Sequence, residues 1–148
     1  MIIVKKKFKE LSLEELYLIL KIRQEVFIVE QRCFYLDCDD LDEKAIHFLG
    51  FINGKLISYM RVLSNENMNL WTLGRILVTK NNRGKGYGVD IISEVIKILK
   101  NLNSSYIFEM SAQTYLINFY KKFNFYPVGN EYLDAGIPHI KMVKKNDD

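Results

Sequence analysis

Proline, cysteine and long apolar runs are all scarce in this chain of 148 residues, and each scarcity excludes a class of protein. With only 2 prolines, 49% hydrophobic residues and 13% aromatic residues, the composition indicates an ordered globule rather than a disordered chain. The longest apolar runs, such as Ile76-Leu77-Val78, fall far short of the roughly 20 residues that span a bilayer. We therefore expect no membrane partner. The first residues contain no small-residue cleavage site, so a cytoplasmic location is expected.

Cysteine is limited to Cys33 and Cys38, which excludes a disulfide framework for a domain of this size and favours reduced thiols. A zinc site would need two more ligands. His47 and the nearby aspartates could supply them, but their spacing matches no recognised zinc motif. We therefore expect no metal, and nothing beside either cysteine supports a nucleophilic role.

The two signs of charge nearly balance, with 21 Lys and Arg against 18 Asp and Glu. Cations gather at Lys5–Lys9, at Lys80–Lys85 and at the C-terminus, whereas acidic residues gather from Asp37 to Glu43. No platform of stacking aromatic residues interleaves with the basic clusters, so we expect no nucleic-acid partner. The acidic stretch is typical of a solvated face, and an acidic lip that attracts a cationic substrate is the alternative.

No linker or internal repeat divides the sequence, which predicts one domain over residues 1–148. A strand over Ile2–Phe8 precedes a helix that the capping box of Ser12 and Glu15 opens. Arg23 interrupts the apolar face of this helix, which indicates either a paired structural arginine or a side chain that lines a pocket. The residues predicted on that face are Leu16, Ile19, Leu20, Arg23 and Phe27.

Three strand patterns follow, over Ala45–Ile52, Leu56–Leu63 and Leu70–Val78. Asn53-Gly54 joins the first two and suits the positive φ angles of a type I′ turn, so these strands should pair antiparallel. Two apolar stripes from Val89 to Leu102 then predict a mostly buried helix.

The last third begins with a strand at Ile107–Ala112, which should run parallel to the strand before the long helix because a helix joins them. A short helix over Tyr115–Phe123 can end at Asn124 in the left-handed conformation. The last two predicted strands are Phe125–Val128 and Ile137–Val143, with a turn near Asp134–Gly136.

The segment from Asn81 to Gly88 lies between the third strand and the long helix. Every second residue from Gly84 to Gly88 is glycine, so the backbone can turn tightly and point several N–H groups at one anion. The positive end of the following helix adds to this attraction. A plain strand-to-helix loop is the alternative. The segment lacks the Gly-Lys-Ser or Gly-Lys-Thr ending of a nucleoside triphosphate loop.

This order of elements resembles the GNAT superfamily of N-acetyltransferases over nearly the whole chain. Arg83-x-x-Gly86-x-Gly88 fits its acyl-coenzyme A pyrophosphate motif. Phe119-Tyr120 followed by Phe125 fits its second motif, although Asn124 stands where the family usually has glycine. The resemblance narrows to the ElaA-like branch through Leu20–Gln31, Cys33, Tyr35, Asp37, His47–Gly50, Gly74-Arg75, Ala112-Gln113 and Gly136–Ile140. It implies an α/β (α+β) fold with a mixed, mostly antiparallel central sheet, one parallel splayed strand pair and helices on both faces.

The resemblance also implies acetyl-coenzyme A as co-substrate. The glycine amides would hold its pyrophosphate, with charge from Arg83 and Lys85, while the strand end at Ile76–Val78 would pair with the pantetheine. One N–H from Ile76 or Leu77 would face the thioester oxygen. The predicted coenzyme-binding residues are Ile76, Leu77, Val78, Arg83, Gly84, Lys85, Gly86, Tyr87, Gly88, Gln113 and Tyr120.

The implied reaction is direct transfer of an acetyl group to a primary amine in a ternary complex. Tyr120 is the predicted general acid, because its phenol stays protonated at neutral pH, and a core side chain is the alternative. The base is left open among His139, His47, Glu30 and Glu131. Arg75 could meet an acidic acceptor group or form a sheet salt bridge. The residues predicted to bind the acceptor are Arg23, Phe27, Gln31, His47, Arg75 and Tyr132.

Two other functions share parts of this pattern. A non-catalytic acyl-coenzyme A binding or sensing module would keep Arg83–Gly88 but lose the Tyr120 hydroxyl. An acyl-homoserine-lactone synthase shares the fold, but the chain looks too short for one. The acceptor is expected to be a small-molecule or peptide amine of unidentified structure. An exposed sheet edge leaves a homodimer open.

Overall fold

A computed structural model describes residues 1–145 of the chain, so the last three residues of the predicted domain lie outside the described residues. The strands of its sheet are β1 (Ile2–Lys7), β2 (Ile46–Ile52), β3 (Lys55–Asn65), β4 (Leu70–Val78), β5 (Ile107–Gln113), β6 (Tyr126–Asp134) and β7 (Ile137–Lys144). They form one sheet in the order β1-β2-β3-β4-β5-β7-β6. Among residues 1–145, only β4 and β5 pair in parallel, which confirms the predicted mixed sheet with one parallel pair.

Helices cover both faces of this sheet, as predicted. They are α1 (Leu13–Arg23), which continues into a π-helix (Gln24–Glu30), α2 (Tyr87–Leu102) and α3 (Ile117–Lys121). The α1 segment packs through Ile19 and Ile22 against Leu49 and Leu77 of the sheet. The α2 and α3 helices pack on the opposite face, where most of the buried core lies.

The start of α1 follows the predicted capping box. The Glu15 backbone N–H donates to Ser12 Oγ at 3.0 Å, and the Ser12 N–H donates to Glu15 Oε1 at 2.9 Å. The end of α1 differs from the prediction, because the chain widens into the π-helix after Arg23 instead of remaining α-helical to Phe27. Such π-helical turns are often found beside functional sites.

Local turn chemistry is also confirmed at three places. Asn53 and Gly54 have φ angles of 49° and 75° in the β2–β3 hairpin. Asn124 takes φ 63° after α3. The β6–β7 hairpin turns at Ala135 and Gly136, with φ angles of 50° and 76°.

The α2 helix supplies much of the core on its face. Its fully or largely buried side chains are Ile91, Ile92, Val95, Ile96 and Leu99. Each such aliphatic side chain stabilises the fold by about 1.5–3 kcal/mol. The predicted stripes were too long, because Val89 and Leu102 near the two ends of the helix are 42% and 52% exposed.

Beyond shifts of one or two residues at strand ends, element boundaries differ from the predictions in three further places. Phe8 opens a 3-10 turn instead of ending β1. The predicted short helix divides into a 3-10 turn at Thr114–Leu116 and the shorter α3. The β6 strand continues six residues beyond Val128, since its pairing with β7 resumes after an irregularity between Val128 and Tyr132.

Candidate functional site

The parallel strands β4 and β5 separate halfway along their length. Their pairing runs from Leu70–Ile107 to Leu73–Met110 and then stops. At that point β4 carries a bulge, because β3 pairs through Arg61 with Gly74 and through Tyr59 with Leu77. One β3 residue therefore lies opposite two β4 residues. The result is a splay, in which the β4 backbone from Ile76 to Val78 has no β5 partner.

The glycine loop connects the splayed end of β4 to α2. Gly84 and Gly86 have φ angles of 75° and 86°, which L-residues with side chains rarely adopt. Gly86 is the N-cap of α2 and supplies no side-chain cap. The first N–H groups of α2 are therefore left for an outside acceptor, and an anionic group fits this position.

Gly88 brings the loop close to α3. A Cβ atom at Gly88 would lie 3.7 Å from Phe119 Cζ and 3.8 Å from Val78 Cγ2. The end of β4 and the glycine loop, which contain predicted coenzyme-binding residues, thus lie beside Phe119 of α3. Lys85 is exposed and Tyr87 half-buried at the start of α2.

Arg83 extends from the loop to the end of the π-helix. Its guanidinium forms a two-point ion pair with Glu30, in which Nη1 bonds Oε1 and Nη2 bonds Oε2 at 3.1 Å. Arg83 Nε also donates to the Val78 carbonyl at 2.9 Å. A cavity of about 310 Å³ adjoins this pair and is lined by Glu25, Val26, Val29, Glu30, Thr79 and Lys80.

Tyr120 is buried on α3 between aromatic rings. The rings of Phe119 and Phe125 meet it edge-on at centroid distances of 5.3 Å and 6.4 Å. Burial raises the pKa of the phenol above its ordinary value, so the hydroxyl keeps its proton at neutral pH. No side chain or backbone group among residues 1–145 forms a hydrogen bond with this hydroxyl.

His139, Tyr132 and Gln113 are neighbours across three strands. His139 pairs with Gln113 of β5 and with Tyr132 of β6, and the His139 and Tyr132 rings stack at 6.3 Å. His139 Nδ1 lies 2.7 Å from the Ile137 carbonyl oxygen, which can only accept. In the neutral imidazole, Nδ1 therefore carries the proton and Nε2 is the nitrogen that can accept one. Because Ile140 packs in the α2-side core, His139 lies on the opposite face of the sheet from Tyr120.

Three arginines and three aspartates form a closed ring of alternating charge beside the splay. Neighbouring members have N–O distances between 2.6 and 3.3 Å. The members of this charge ring, in order, are Arg23, Asp37, Arg75, Asp39, Arg61 and Asp42. Neither reading of the acidic stretch was right for its three ring members, since they pair with arginines instead of facing solvent or a substrate.

The charge ring shifts the titration of its own members. Hydrogen bonds from Arg61 are the main cause that lowers the pKa of Asp39 to about 2. Burial works to raise the pKa of Asp42, but bonds from Arg23 and Arg61 outweigh it and lower the pKa. Asp39 and Asp42 are therefore carboxylates at neutral pH.

Arg23 and His47 occupy positions that favour their structural alternatives. Arg23 is 0% exposed, and each of its guanidinium nitrogens bonds Asp37 or Asp42. His47 is 1% exposed, with Nε2 2.8 Å from the Asp42 carbonyl and Nδ1 2.6 Å from the Tyr59 hydroxyl. Burial lowers the pKa of His47. The neutral His47 ring donates a hydrogen bond from Nε2 and accepts one at Nδ1. Neither ring nitrogen is therefore available to bind or deprotonate the amine substrate.

The remaining predicted acceptor residues are Phe27, Gln31 and Tyr132. Phe27 packs against the α1-side core, and Gln31 follows the π-helix and is half-buried. Cys33 Sγ lies 3.5 Å from the carbonyl oxygens of Gln31 and Ala135. The two contacts of Cys33 join the end of the π-helix to the β6–β7 turn. Tyr132 lies on β6, three residues before Ala135 of this turn.

Sequence reasoning missed four members of the ring, which are Asp37, Asp39, Asp42 and Arg61. Arg61 was detectable, because it stands in the apolar run of β3 much as Arg23 stands on the apolar face of α1. Cys33 and Cys38 are both free thiols. Among residues 1–145, no group of three or more His, Cys, Asp or Glu is placed to hold a metal. Within the same residues, every helix is too short or too polar to cross a bilayer.

Comparison with known proteins agrees with this geometry. Protein ElaA of Escherichia coli is 37% identical over 139 residues, which cover 92% of this chain and 91% of ElaA. The ElaA crystal structure superposes with a TM-score of 0.91 at 33% identity, covering 97% of this chain and 99% of ElaA. An acyl-CoA N-acyltransferase from Pseudomonas aeruginosa also superposes with a TM-score of 0.91, at 32% identity, covering 97% of this chain and 98% of that one.

A family match covers nearly the whole chain as well. Residues 10–146 match the family described as acetyltransferase (GNAT) domain. The ElaA-like branch is likewise supported by the similarity in sequence and in structure. The chain therefore belongs to the GNAT acetyltransferase family, as its order of elements, glycine loop and Phe119-Tyr120 motif predicted.

Proposed function

We propose that this protein transfers an acetyl group from acetyl-coenzyme A to a primary amine by direct attack in a ternary complex. The observation that carries the proposal is the splay between β4 and β5, which opens beside an uncapped helix N-terminus. An extended acyl-pantetheine arm can pair with the free backbone at the splay, and a diphosphate can accept hydrogen bonds from the uncapped N-terminus of α2. The related Pseudomonas aeruginosa protein, described as an acyl-CoA N-acyltransferase, supports the same class of reaction.

The coenzyme would be held mainly by backbone. The N–H groups of Gly84, Gly86 and Gly88 would take the diphosphate, with Tyr87 in the first turn and cationic charge from Lys85 and Arg83. The unpaired backbone of β4 would bond the pantetheine amides as an added strand does, and the Gln113 amide would bond the arm from β5. One N–H from Ile76 or Leu77 would stabilise the developing oxyanion of the thioester.

Two proton transfers complete the reaction. Tyr120 would protonate the departing thiolate, since burial keeps its phenol neutral. His139 Nε2 is the base that the geometry favours, because its lone pair is free while Glu30 is bound by Arg83. The acceptor amine must lose its proton before or during attack, and His139 could take it directly or through water.

The acceptor is proposed to be a small-molecule or peptide amine that enters over the rim formed by Phe27, Gln31 and Tyr132. Arg75 binds Asp37 and Asp39. We propose a cytoplasmic enzyme without a metal and without nucleic-acid or membrane partners. A homodimer stays a prediction.

The direct test is thiol release from acetyl-coenzyme A with a panel of amines, peptides and aminoglycosides. We expect at least one primary amine to give turnover above the slow hydrolysis seen without an acceptor. Propionyl- and succinyl-coenzyme A in the same assay would measure the preference for the acetyl group. If coenzyme A binds while no acceptor and no hydrolysis are found, the non-catalytic acyl-coenzyme A binding module replaces the transferase.

A further inference from the structure

The β4 bulge decides which way the end of β4 faces. Leu73 packs in the α2-side core before the bulge, and Ile76 returns to that core only because one extra residue is inserted. Leu77 then packs with α1 on the opposite face. Without the extra residue, each side chain after Gly74 would point to the other face of the sheet. The bulge also lies where the pairing of β4 with β5 ends.

The bulge depends on an unusual backbone conformation at Arg75. Its φ angle is 50°, in the left-handed region that arginine seldom occupies without support from its surroundings. The support is visible on the side chain. Arg75 Nε forms an ion pair with Asp37 Oδ1 at 2.7 Å, without the angle of a hydrogen bond. Nη2 donates to the Asp37 carbonyl at 3.0 Å and to Asp39 Oδ2 at 3.3 Å.

Asp37 is in turn fixed from the opposite side. It is 7% exposed, and its Oδ2 accepts a hydrogen bond from Arg23 Nε at 2.7 Å. The Asp37 carbonyl also accepts from Arg23 Nη2 at 2.9 Å. Asp37 therefore ties the bulge to α1 through four contacts, two to each arginine.

We propose that Asp37 is a positioning residue of the transferase, which acts through Arg75 to hold the β4 bulge and the backbone of Ile76–Val78. It touches no reacting atom. This inference rests on the proposed function, because acyl-coenzyme A is the ligand assigned to that backbone. Loss of the Asp37 charge should let the bulge relax, so the pantetheine arm loses its partner strand while the glycine loop keeps its diphosphate site.

A matched pair of probes separates these two parts of the coenzyme. Acetyl-coenzyme A reaches both the loop and the splay, whereas adenosine 3′-phosphate 5′-diphosphate reaches the loop alone. In Asp37→Asn, calorimetry should show acetyl-coenzyme A binding weakened about tenfold, because displaced contacts lose their geometry. Binding of the nucleotide should change by less than about twofold, since its contacts are backbone groups of the loop.

Asp42→Asn is the matched control. Asp42 also belongs to the charge ring, and its substitution by asparagine removes one negative charge, as Asp37→Asn does. Asp42 pairs with Arg23 and Arg61 instead of Arg75. This variant should lose thermal stability as Asp37→Asn does, while it retains the wild-type affinity for acetyl-coenzyme A. A merely structural Asp37 would make the two variants bind alike.

A second pair of variants tests the backbone itself and serves if Asp37→Asn does not fold. Asp37→Asn with Arg75→Gly and Asp37→Asn with Arg75→Gln both leave the ring with two arginines and two aspartates. Only glycine adopts a positive φ without strain. We expect the glycine variant to recover acetyl-coenzyme A affinity and the glutamine variant to remain weak.

The outcomes separate this role from the proposed function. Wild-type protein that binds neither probe would overturn the proposed function and the positioning role with it. Wild-type protein that binds both, with Asp37→Asn and Asp42→Asn equally affected or with equal glycine and glutamine variants, would overturn the positioning role alone.

Discussion

At the scale of single residues, the Tyr120 hydroxyl lies among aromatic rings that favour its neutral form. Tyr120→Phe removes the proton that a departing thiolate needs, and the ring packing stays. We expect kcat to fall about 100-fold, in the range typical of a lost general acid, with KM for acetyl-coenzyme A nearly unchanged. Steady-state kinetics with the best acceptor from the amine panel would measure both constants.

Tyr115→Phe is the control for that measurement. Tyr115 precedes α3 in the same segment and is 74% exposed, so loss of its hydroxyl should leave kcat at the wild-type value. Equal turnover in Tyr120→Phe and wild type would remove Tyr120 from the chemistry and leave it as a core residue.

Glu30 holds the arginine that the coenzyme diphosphate would meet. Glu30→Gln frees Arg83 from a partly exposed ion pair that adds little stability, so the melting temperature should stay within a degree or two. We expect coenzyme A affinity at low salt to rise about threefold, because the diphosphate no longer competes with a carboxylate. Titration calorimetry at two salt concentrations would show the gain shrinking as salt is added.

Glu25→Gln tests whether that gain is specific. Glu25 lines the same cavity, and its substitution removes the same charge as Glu30→Gln. Arg83, however, pairs with Glu30 and not with Glu25. The affinity should be unchanged in this control. A fall in kcat at constant affinity in Glu30→Gln would instead return Glu30 to the role of base.

The conformation of a single residue was predictable where it depends only on the local backbone. Asn124 was assigned to the left-handed position after α3, and its φ of 63° confirms this. The partners of Arg23 were not predictable, because Asp37 and Asp42 are 14 and 19 residues away and no periodicity links them to α1. An ion pair formed across loops leaves no local pattern in the sequence.

At the scale of elements, the glycine loop combines a backbone requirement with a ligand site. Gly86→Ala forces a side chain into φ 86° and should destabilise the fold by about 1 kcal/mol, although open space surrounds its Cβ. The altered turn should also weaken coenzyme A binding, because the first amides of α2 move with it. Thermal melts and calorimetry would measure the two effects separately.

Gly54→Ala provides the same strain without the ligand site. Gly54 has φ 75° in the β2–β3 hairpin, and nothing lies within 4 Å of an added Cβ. Its stability loss should match that of Gly86→Ala while coenzyme A binding is preserved. Weakened binding in both variants would show that strain anywhere in the fold, and not the loop, controls affinity.

Elements with local signals were predicted well, and elements set by distant contacts were not. The capping box and the Asn53-Gly54 turn depend on neighbouring residues alone. The π-helix and the bulge at Arg75 depend on how α1, β4 and the acidic stretch meet, so the sequence indicated a plain helix and a plain strand. The splay was expected from the family resemblance, and the bulge supplies its physical cause.

At the scale of the whole molecule, the charge ring links stability to pH. The pKa of Asp39 is about 2 in the folded protein against an ordinary value of 3.8, so at low pH the unfolded chain binds the proton more readily. The contribution of this pair is complete above about pH 4 and is lost as pH falls towards 2. It amounts to on the order of 2 kcal/mol.

Acid unfolding should therefore be shallower in Asp39→Asn than in wild type. Circular dichroism melts from pH 5 to pH 2 would show the wild-type stability falling towards that of the variant. Asp40→Asn is the control, because Asp40 is exposed and adjacent but lies outside the ring. A variant Asp39→Asn with the full wild-type acid dependence would contradict the assigned ion pairs.

The sheet ends in two edges, β1 and β6. Every residue of β6 is exposed, but Pro127 lacks an N–H donor and Gly129 has φ 78° at the irregular part of the strand. Both features discourage pairing with another sheet. If the predicted homodimer forms, β6 is therefore a poor edge for it, and size-exclusion chromatography with light scattering would determine the oligomeric state.

The closed charge ring has a consequence for how this sequence can drift. The three positive and three negative charges of the ring balance one another. A charge-removing substitution at any one of the six positions therefore leaves an opposite charge without a partner in a largely buried environment. Neutral drift should therefore pass through paired exchanges of one arginine and one aspartate. Among ElaA-like sequences, these six positions should covary as a unit, while the exposed Phe34 and Leu36 between them vary independently.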